Sequence, residues 1–183
     1  NALLIFDEIQ AGLGRTGTYF AYESANVKPD IITLAKPLGA GLPIGAVLMT
    51  NEVAKLINYG DHGSTFGGNC LAAACALTFL ETLEKENILD HVKKVSKHLL
   101  SCLNSLKITY KSIKNIRGKG LMIAIELDKP VSGLISKFIN NGLIVNATNN
   151  NIIRLLPPYI ITKEEIEEAV SIIEKTFAEN NIN

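Results

Sequence analysis

Apolar runs of strand length alternate with polar or glycine-rich turns in the first part of the chain. Residues 2–6, 31–35 and 44–49 are three such runs. Continuous apolar runs of this length are typical of short strands buried on both faces. An alanine-rich run over residues 70–83 predicts a buried helix, and residues 51–58 resemble a short helix.

The pattern changes after the alanine-rich run. Residues 87–107 predict a long amphipathic helix because apolar residues recur there at spacings of three and four, at Ile88, Val92, Val95, Leu99, Cys102 and Leu106. Further strands are predicted over residues 108–112, 120–127, 143–147 and 151–156, and further helices over 132–141 and 162–179. The last helix opens with a capping box, in which Thr162 precedes Glu165 by three residues. A small α+β unit is therefore expected after a boundary near residue 84.

Composition narrows the class of protein. The 183 residues are 47% hydrophobic and 20% charged, which is typical of a soluble globular chain of one or two domains. Eighteen basic and eighteen acidic residues cancel, so the charge does not indicate a nucleic acid or an anionic membrane as a partner. No apolar run approaches the roughly 20 residues that a membrane helix needs.

The cysteines predict the redox compartment of the protein, and the first residues bear on whether the sequence is part of a longer chain. Cys70, Cys75 and Cys102 form no CxxC pair and have no ligand-like spacing to the histidines. We interpret them as reduced core or near-core thiols of a cytosolic protein, and no metal site is predicted. The sequence starts at Asn1, leads directly into an apolar run and has no signal-peptide pattern. We expect it to be a piece of a longer chain, cut within a domain.

A carboxylate and an amine end two of the predicted strands. Asp7 follows the first apolar run, and Lys36 follows the second and precedes the glycine-rich turn Pro37–Gly41. Charged groups at the ends of buried strands are costly to desolvate, so a ligand often uses them. Pyridoxal phosphate (PLP) needs such a pair, a lysine for its Schiff base and an acid for its pyridinium nitrogen. The alternatives are a turn cap at Asp7 and a surface lysine at position 36.

Three further segments carry candidate chemistry. The loop His62–Asn69 contains two hydroxyls, Ser64 and Thr65, and precedes a helix, which suits phosphate binding; the alternative is an ordinary surface loop. Arg154 lies inside an apolar strand and needs an anion there. That anion is either a structural ion-pair partner or a substrate carboxylate held by two hydrogen bonds. The segment Arg117–Gly120 predicts a turn with a solvated basic pair.

Taken together, these segments resemble the class III, or ornithine-type, PLP-dependent aminotransferases. Six segments match in order along essentially the whole chain: residues 4–17, 28–36, 41–46, 62–69, 117–121 and 154–158. Two positions depart from the usual pattern of the family. Pro37 stands where glycine is usual, and Cys70 stands where proline is common. Neither change removes a functional group.

The resemblance implies an α/β protein with the type I PLP-dependent transferase fold. Residues 1–84 would be the C-terminal portion of the large PLP-binding domain, and residues 85–183 a linking helix and a small α+β domain. Five roles are implied for side chains: Lys36 is the Schiff-base lysine, Asp7 binds the pyridinium nitrogen, Gln10 contacts the phenolic oxygen, Thr65 with Ser64 binds the cofactor phosphate of the neighbouring subunit, and Arg154 holds the substrate carboxylate. The resemblance also implies a homodimer with shared active sites.

Within the family, the chain is most similar to the acetylornithine-type members. This similarity implies a cytoplasmic enzyme of arginine biosynthesis that transfers the terminal amino group of N-acetylornithine to 2-oxoglutarate. Other amino donors stay open as alternatives, namely ornithine, 4-aminobutyrate and succinyl-diaminopimelate. So do a racemase or mutase of the same fold and a non-catalytic binding protein.

Overall fold

A computed structural model describes residues 2–183 of the chain. They form two compact units, which divide between Leu89 and Asp90. No helix within residues 2–183 combines the length and the apolar character that a membrane crossing requires. Each unit contains its own sheet.

The first unit is built on a three-stranded sheet. Its strands are β1 (Ile5–Asp7), β2 (Ile31–Leu34) and β3 (Ala46–Met49), hydrogen-bonded in that order. β1 and β2 are parallel, and β3 is antiparallel to β2. The helices of this unit are α1 (Asn51–Ala54) and α2 (Cys70–Lys85). Because β1 and β2 are parallel, their carboxyl ends lie at the same end of the sheet, and the residues that follow both strands begin there.

An apolar core lies on one side of this sheet. Its buried members are Leu13, Ile32, Leu34, Leu38 and Ala76, and the side chains packed against them include Phe20, Tyr22, Ile44, Ala46, Phe79 and Leu80. The ring of Tyr22 stacks on Phe6 and on Phe20, with centroid distances of 5.7 and 5.6 Å. The turn after β1, the strand β2 and the helix α2 are therefore joined through one cluster.

The expectation of fully buried strands and a buried helix is wrong for this unit. Ile5 and Val47 are each 57% exposed, and α2 buries only Ala72, Ala76 and Leu83. The register places Ile5 and Val47 on one face of the sheet and Ile32 on the other face. Among the described residues, only the face that carries Ile32 is packed against the core.

The second unit is built on a four-stranded antiparallel sheet. Its strands are β4 (Ile113–Lys119), β5 (Met122–Leu127), β6 (Asn146–Thr148) and β7 (Ile152–Leu155), in the order β4-β5-β7-β6. The helices are α3 (Ile88–Thr109), which begins at the boundary of the units, α4 (Ile135–Asn140) and α5 (Lys163–Glu179). A short 3-10 helix, Ser132–Leu134, precedes α4.

The core of the second unit follows the predicted periodicities. Residues of β5 alternate between buried and half-buried, and α3 and α5 each bury one stripe. Its fully buried side chains include Val92, Leu103, Ile123, Ile125, Ile153, Phe138, Ile166, Ile173 and Phe177. The predicted capping box is confirmed, because Glu165 N donates to Thr162 Oγ1 at 3.1 Å and Thr162 N donates to Glu165 Oε2 at 2.8 Å.

Two predicted elements are wrong in this unit. The sequence predicts a strand over residues 108–112, but α3 continues to Thr109 and Tyr110 N still donates to Leu106 O at 2.8 Å. The helical stripe of Leu103, Leu106 and Tyr110 is buried, and this packing outweighs the β-branched side chains of residues 108 and 109. Arg117 and Lys119 belong to β4 rather than to a turn.

The three cysteines are free thiols. Cys70 is exposed, which corrects the expectation of a core or near-core position, and it is the first residue of α2. Proline is common at that position of a helix, because its backbone N–H has no helical partner, so cysteine and proline are both compatible with it. Cys102 is half-buried, and burial raises the pKa of its thiol, with a further contribution from Glu167.

Candidate active site

Asp7 is the last residue of β1 and lies at the edge where the parallel strands end. It pairs in register with Thr33, whose Oγ1 donates to Asp7 Oδ1 at 3.4 Å. The backbone N–H of Ile9 donates to the same oxygen at 3.0 Å. Within residues 2–183, Asp7 Oδ2 makes no hydrogen bond. One oxygen therefore orients the carboxylate, while the other is left for a ligand.

Glu8 has a structural role that its neighbour Asp7 does not share. Its side chain is buried and accepts hydrogen bonds from the backbone N–H groups of Ala21 and Tyr22, both at 2.9 Å. Gly12 packs against it so closely that a Cβ there would lie 2.9 Å from Glu8 O. The carboxylate thus fastens the residues that follow the glycine-rich loop Gly12–Gly17 to the end of β1.

A tyrosine in the same segment contacts the helix α2. Tyr19 Oη donates to Glu84 Oε1 of α2 at 2.9 Å. This hydrogen bond is the main cause of the raised pKa of the Tyr19 hydroxyl. With Glu8 on one side and Tyr19 on the other, the loop that follows Asp7 is tied to both β1 and α2.

Lys36 begins a short 3-10 helix, Lys36–Gly39, which is separated from β2 by Ala35. Its φ is +27°, a value that non-glycine residues rarely adopt, and the following residue, Pro37, restricts its backbone further. Residues held in such conformations concentrate at functional sites. The Lys36 side chain is exposed, and the described residues contain no ion pair to its amine.

An open cleft of about 840 Å³ lies beside Lys36. Its walls come from the turn after Lys36 and from the loop before α2, and its lining includes Gly41, Pro43, Ser64, Phe66 and Asn69. Asn69 closes the loop, because its Oδ1 accepts from Ala72 N and its Nδ2 donates to Phe66 O, both at 2.9 Å. The first unit therefore places a free amine and a serine hydroxyl in one cleft.

Arg154 lies in β7 of the second unit. The residue is half-buried, its Nε is inaccessible to solvent, and this atom has no hydrogen-bond partner within the described part of the chain. No carboxylate of residues 2–183 forms an ion pair with it. A buried N–H of a guanidinium is costly to leave without an acceptor, so this atom indicates an acceptor that lies outside the described residues.

The first unit brings together some of its candidate residues. Asp7 and Lys36 follow adjacent parallel strands and leave the sheet at the same edge, and Lys36 shares a cleft with Ser64. Gln10 is half-buried in the turn after β1 and does not line that cleft, and neither does the exposed Thr65. Arg154 belongs to the second unit.

The sequence analysis did not identify Glu8 as the residue that binds the backbone N–H groups of Ala21 and Tyr22. The signal in the sequence was an acid directly after a strand, with a glycine four residues later.

The chain is similar to known proteins of one family. The family described as Aminotransferase class-III matches residues 1–177. The acetylornithine aminotransferase of Methanocaldococcus jannaschii is 45% identical over 179 residues, which are 98% of this chain and 45% of that protein. The chain thus spans about half the length of the curated relatives it matches.

Two solved structures illustrate the same similarity. The acetylornithine aminotransferase of Elizabethkingia anophelis superimposes with a TM-score of 0.91 at 39% identity, over 98% of this chain and 46% of that one. An ornithine aminotransferase of Toxoplasma gondii, described with partial occupancy of PLP at its active site, gives 0.90 at 38% identity, over 98% of this chain and 43% of that one. The chain belongs to the class III aminotransferases, and its fold is that of their C-terminal portion.

Proposed function

We propose that this chain is part of a PLP-dependent aminotransferase that takes the terminal amino group of N-acetylornithine. The observation that carries the proposal is the placement of Asp7 and Lys36 after adjacent parallel strands, so that a carboxylate and an amine leave the sheet at one edge. The choice of donor rests on 45% identity to curated acetylornithine aminotransferases across nearly the whole chain.

The residues present fit PLP. Asp7 Oδ2 is without a hydrogen bond inside the described chain and would hold the pyridinium nitrogen, and the unpaired Lys36 amine would bond to the cofactor aldehyde. Gln10 would contact the phenolic oxygen, and Thr65 with Ser64 would bind the phosphate in the partner subunit of a homodimer. When bound, PLP supplies an electron sink for the bond that breaks at the amine-bearing carbon.

The chain's own groups would supply charge and proton transfer. The negative charge of Asp7 would favour the protonated form of a ring nitrogen bound to it. The Lys36 amine would be the base that takes the proton from the amine-bearing carbon of the donor and later gives it back. The cycle then has two halves, in which the donor leaves as an aldehyde and 2-oxoglutarate takes up the amino group to leave as glutamate.

Arg154 would bind the carboxylate of the donor. In N-acetylornithine this carboxylate is remote from the terminal amine, so its binding energy positions a carbon that Arg154 does not touch. We also propose that the boundary between the large and the small domain lies near residue 84 and that the protein is cytoplasmic.

The test is a half-reaction screen on the complete protein, isolated with its cofactor. N-acetylornithine, ornithine, 4-aminobutyrate and succinyl-diaminopimelate are added separately without acceptor, and the visible absorbance of the bound cofactor is followed. Fastest loss of absorbance with N-acetylornithine is the expected result. A faster response to another donor would retain the transamination and reassign the substrate. No response to any donor would refute transamination.

The role of Arg154 is tested with a donor that lacks the carboxylate. N-acetylputrescine carries the terminal amine and the acetamide of N-acetylornithine but no carboxylate. In an Arg154→Ala variant, KM for N-acetylornithine should rise about tenfold or more, since a charged hydrogen-bonded pair is lost, while KM for N-acetylputrescine should stay near that of the wild type. An unchanged KM for N-acetylornithine would contradict this role.

A further inference from the structure

The helix α4 ends in a turn that requires glycine directly after Asn141. Gly142 N donates to Ile139 O at 3.0 Å, and Leu143 N donates to Phe138 O at 2.9 Å. These two hydrogen bonds form a Schellman motif, the common ending of a helix. Gly142 has a φ of +95°, a backbone conformation that favours glycine. The glycine that follows Asn141 therefore has a structural reason.

The Asn141 side chain is held by the helix α5. Its Nδ2 donates to Thr176 Oγ1 and to Glu179 Oε2, both at 3.0 Å. Thr176 is fully buried, and its hydroxyl donates to Ile172 O at 2.8 Å. The other oxygen of Glu179 lies 3.9 Å from Lys175 Nζ. The two donors of the Asn141 amide thus have two acceptors, and they link the end of α4 to the last turn of α5.

Asn141 and Gly142 form the only asparagine–glycine pair in the 183 residues. In such a pair the glycine nitrogen can attack the side-chain carbonyl carbon of the asparagine, because glycine has no Cβ to hinder the approach. A bond from the glycine nitrogen to Cγ forms, and the bond from Cγ to Nδ2 breaks. Ammonia leaves with the proton of the attacking nitrogen. Water then opens the resulting succinimide at either carbonyl, which gives aspartate or isoaspartate.

The native contacts oppose this reaction at both reacting atoms. The attacking nitrogen of Gly142 is a donor in the Schellman motif, and the leaving nitrogen of Asn141 is bound to two residues of α5. The Asn141 side chain must turn toward its own backbone before its carbon can be attacked, so its hydrogen bonds to α5 must break first. The reaction therefore proceeds from a locally open state, in which α4 has separated from the end of α5.

We propose that Asn141 is a site of spontaneous deamidation, which Thr176 and Glu179 keep unreactive while α4 and α5 are in contact. The product cannot restore that contact. A carboxylate at position 141 has no N–H to donate, and it lies beside the carboxylate of Glu179, which it repels. A single opening that leads to reaction is thus converted into a lasting change of the second unit. The proposal does not depend on the amino donor of the enzyme.

The test follows deamidation of the complete protein by peptide mass spectrometry during incubation at mildly alkaline pH. Unfolded in guanidinium chloride, the wild type should deamidate at Asn141 at least about tenfold faster than the folded protein, because opening no longer limits the reaction. Glu179→Ala and Thr176→Val each remove one acceptor. Each should speed the reaction of the folded protein about two- to tenfold, the factor by which one hydrogen bond shifts an opening equilibrium.

Conservative variants separate the hydrogen bonds from the rest of each side chain. Glu179→Gln and Thr176→Ser retain an acceptor oxygen for the Asn141 amide and should react at nearly the wild-type rate. Glu168→Ala, which removes another exposed glutamate of α5, should also match the wild type. Circular dichroism checks that each variant is folded. Glu179 is exposed, so Glu179→Ala carries the test if Thr176→Val does not fold.

The effect of the product is tested with Asn141→Asp. This variant should have a lower Tm than the wild type, and adding Glu179→Gln should recover part of the loss, because the glutamine amide can donate to the new carboxylate. An unchanged Tm in Asn141→Asp would overturn the lasting change. The deamidation site itself would be refuted by equal rates in the folded and unfolded protein, by no reaction even in the unfolded protein, or by equal rates in Glu179→Ala and Glu179→Gln.

Discussion

Asp7 and Thr33 are paired residues of two parallel strands, and the threonine hydroxyl donates to the aspartate at 3.4 Å. This contact links the strand that ends in the acid to the strand that leads into Lys36, three residues after Thr33. The two chemical groups expected to act on one cofactor are thus held by neighbouring strands of a single sheet. Their relative position depends on strand pairing and not on a flexible loop.

Replacing the Asp7 carboxylate by an amide should impair catalysis more than folding. In Asp7→Asn the hydrogen bonds to Oδ1 can persist, but the negative charge beside the ring nitrogen is lost. We expect kcat to fall about 10²-fold or more, the magnitude typical of losing one preorganised electrostatic contact. Steady-state kinetics with N-acetylornithine and 2-oxoglutarate measure this. Thr33→Val is the control, with an expected loss below about tenfold; equal losses would assign Asp7 a purely structural role.

Lys36→Ala should abolish turnover and leave the fold intact. The Lys36 side chain is exposed and has no ion pair in the described chain, so its removal costs little packing. Circular dichroism and the urea midpoint should match those of the wild type, while the assay falls to background. Lys36→Arg keeps the charge without a nucleophilic amine and should be equally inactive. Normal transamination by either variant would rule out the assignment of Lys36.

The buried Glu8 carboxylate should matter for stability. Glu8→Ala leaves the N–H groups of Ala21 and Tyr22 without their acceptor, and we expect a loss of about 2–4 kcal/mol in the free energy of unfolding. Glu8→Gln retains one acceptor oxygen and should lose about 1–2 kcal/mol. Urea denaturation followed by circular dichroism measures both. If Glu8→Ala unfolds at the wild-type urea concentration, the proposed anchoring of the loop is incorrect.

The core of the second unit should depend on Phe177. Its ring is fully buried and meets Tyr110 and Phe138 edge-on, at centroid distances of 5.4 and 6.2 Å. Phe177→Ala should lower the free energy of unfolding by about 3–5 kcal/mol, because a large cavity replaces the ring. Thermal denaturation tests this, and Phe66→Ala is the matched control, since Phe66 is 80% exposed and its removal should change stability little.

Local patterns in the sequence determined the kinds of elements and the chemistry at their ends. The stripe of α3, the capping box of α5 and the strands β1, which ends at Asp7, and β2, which precedes Lys36, depend on neighbours only a few residues away. Such short-range geometry is visible in the order of residues. The same is true of the six segments that identified the family, because each keeps its functional groups within a few positions of one another.

Tertiary structure decided which groups found partners. Glu8 meets backbone N–H groups 13 and 14 residues away, and only folding leaves Arg117 paired with Glu126 while Arg154 has no anion in the described chain. Packing also decided that α3 continues to Thr109. Each outcome depends on contacts between distant residues, whose desolvation and charge pairing cannot be read from the order of residues alone.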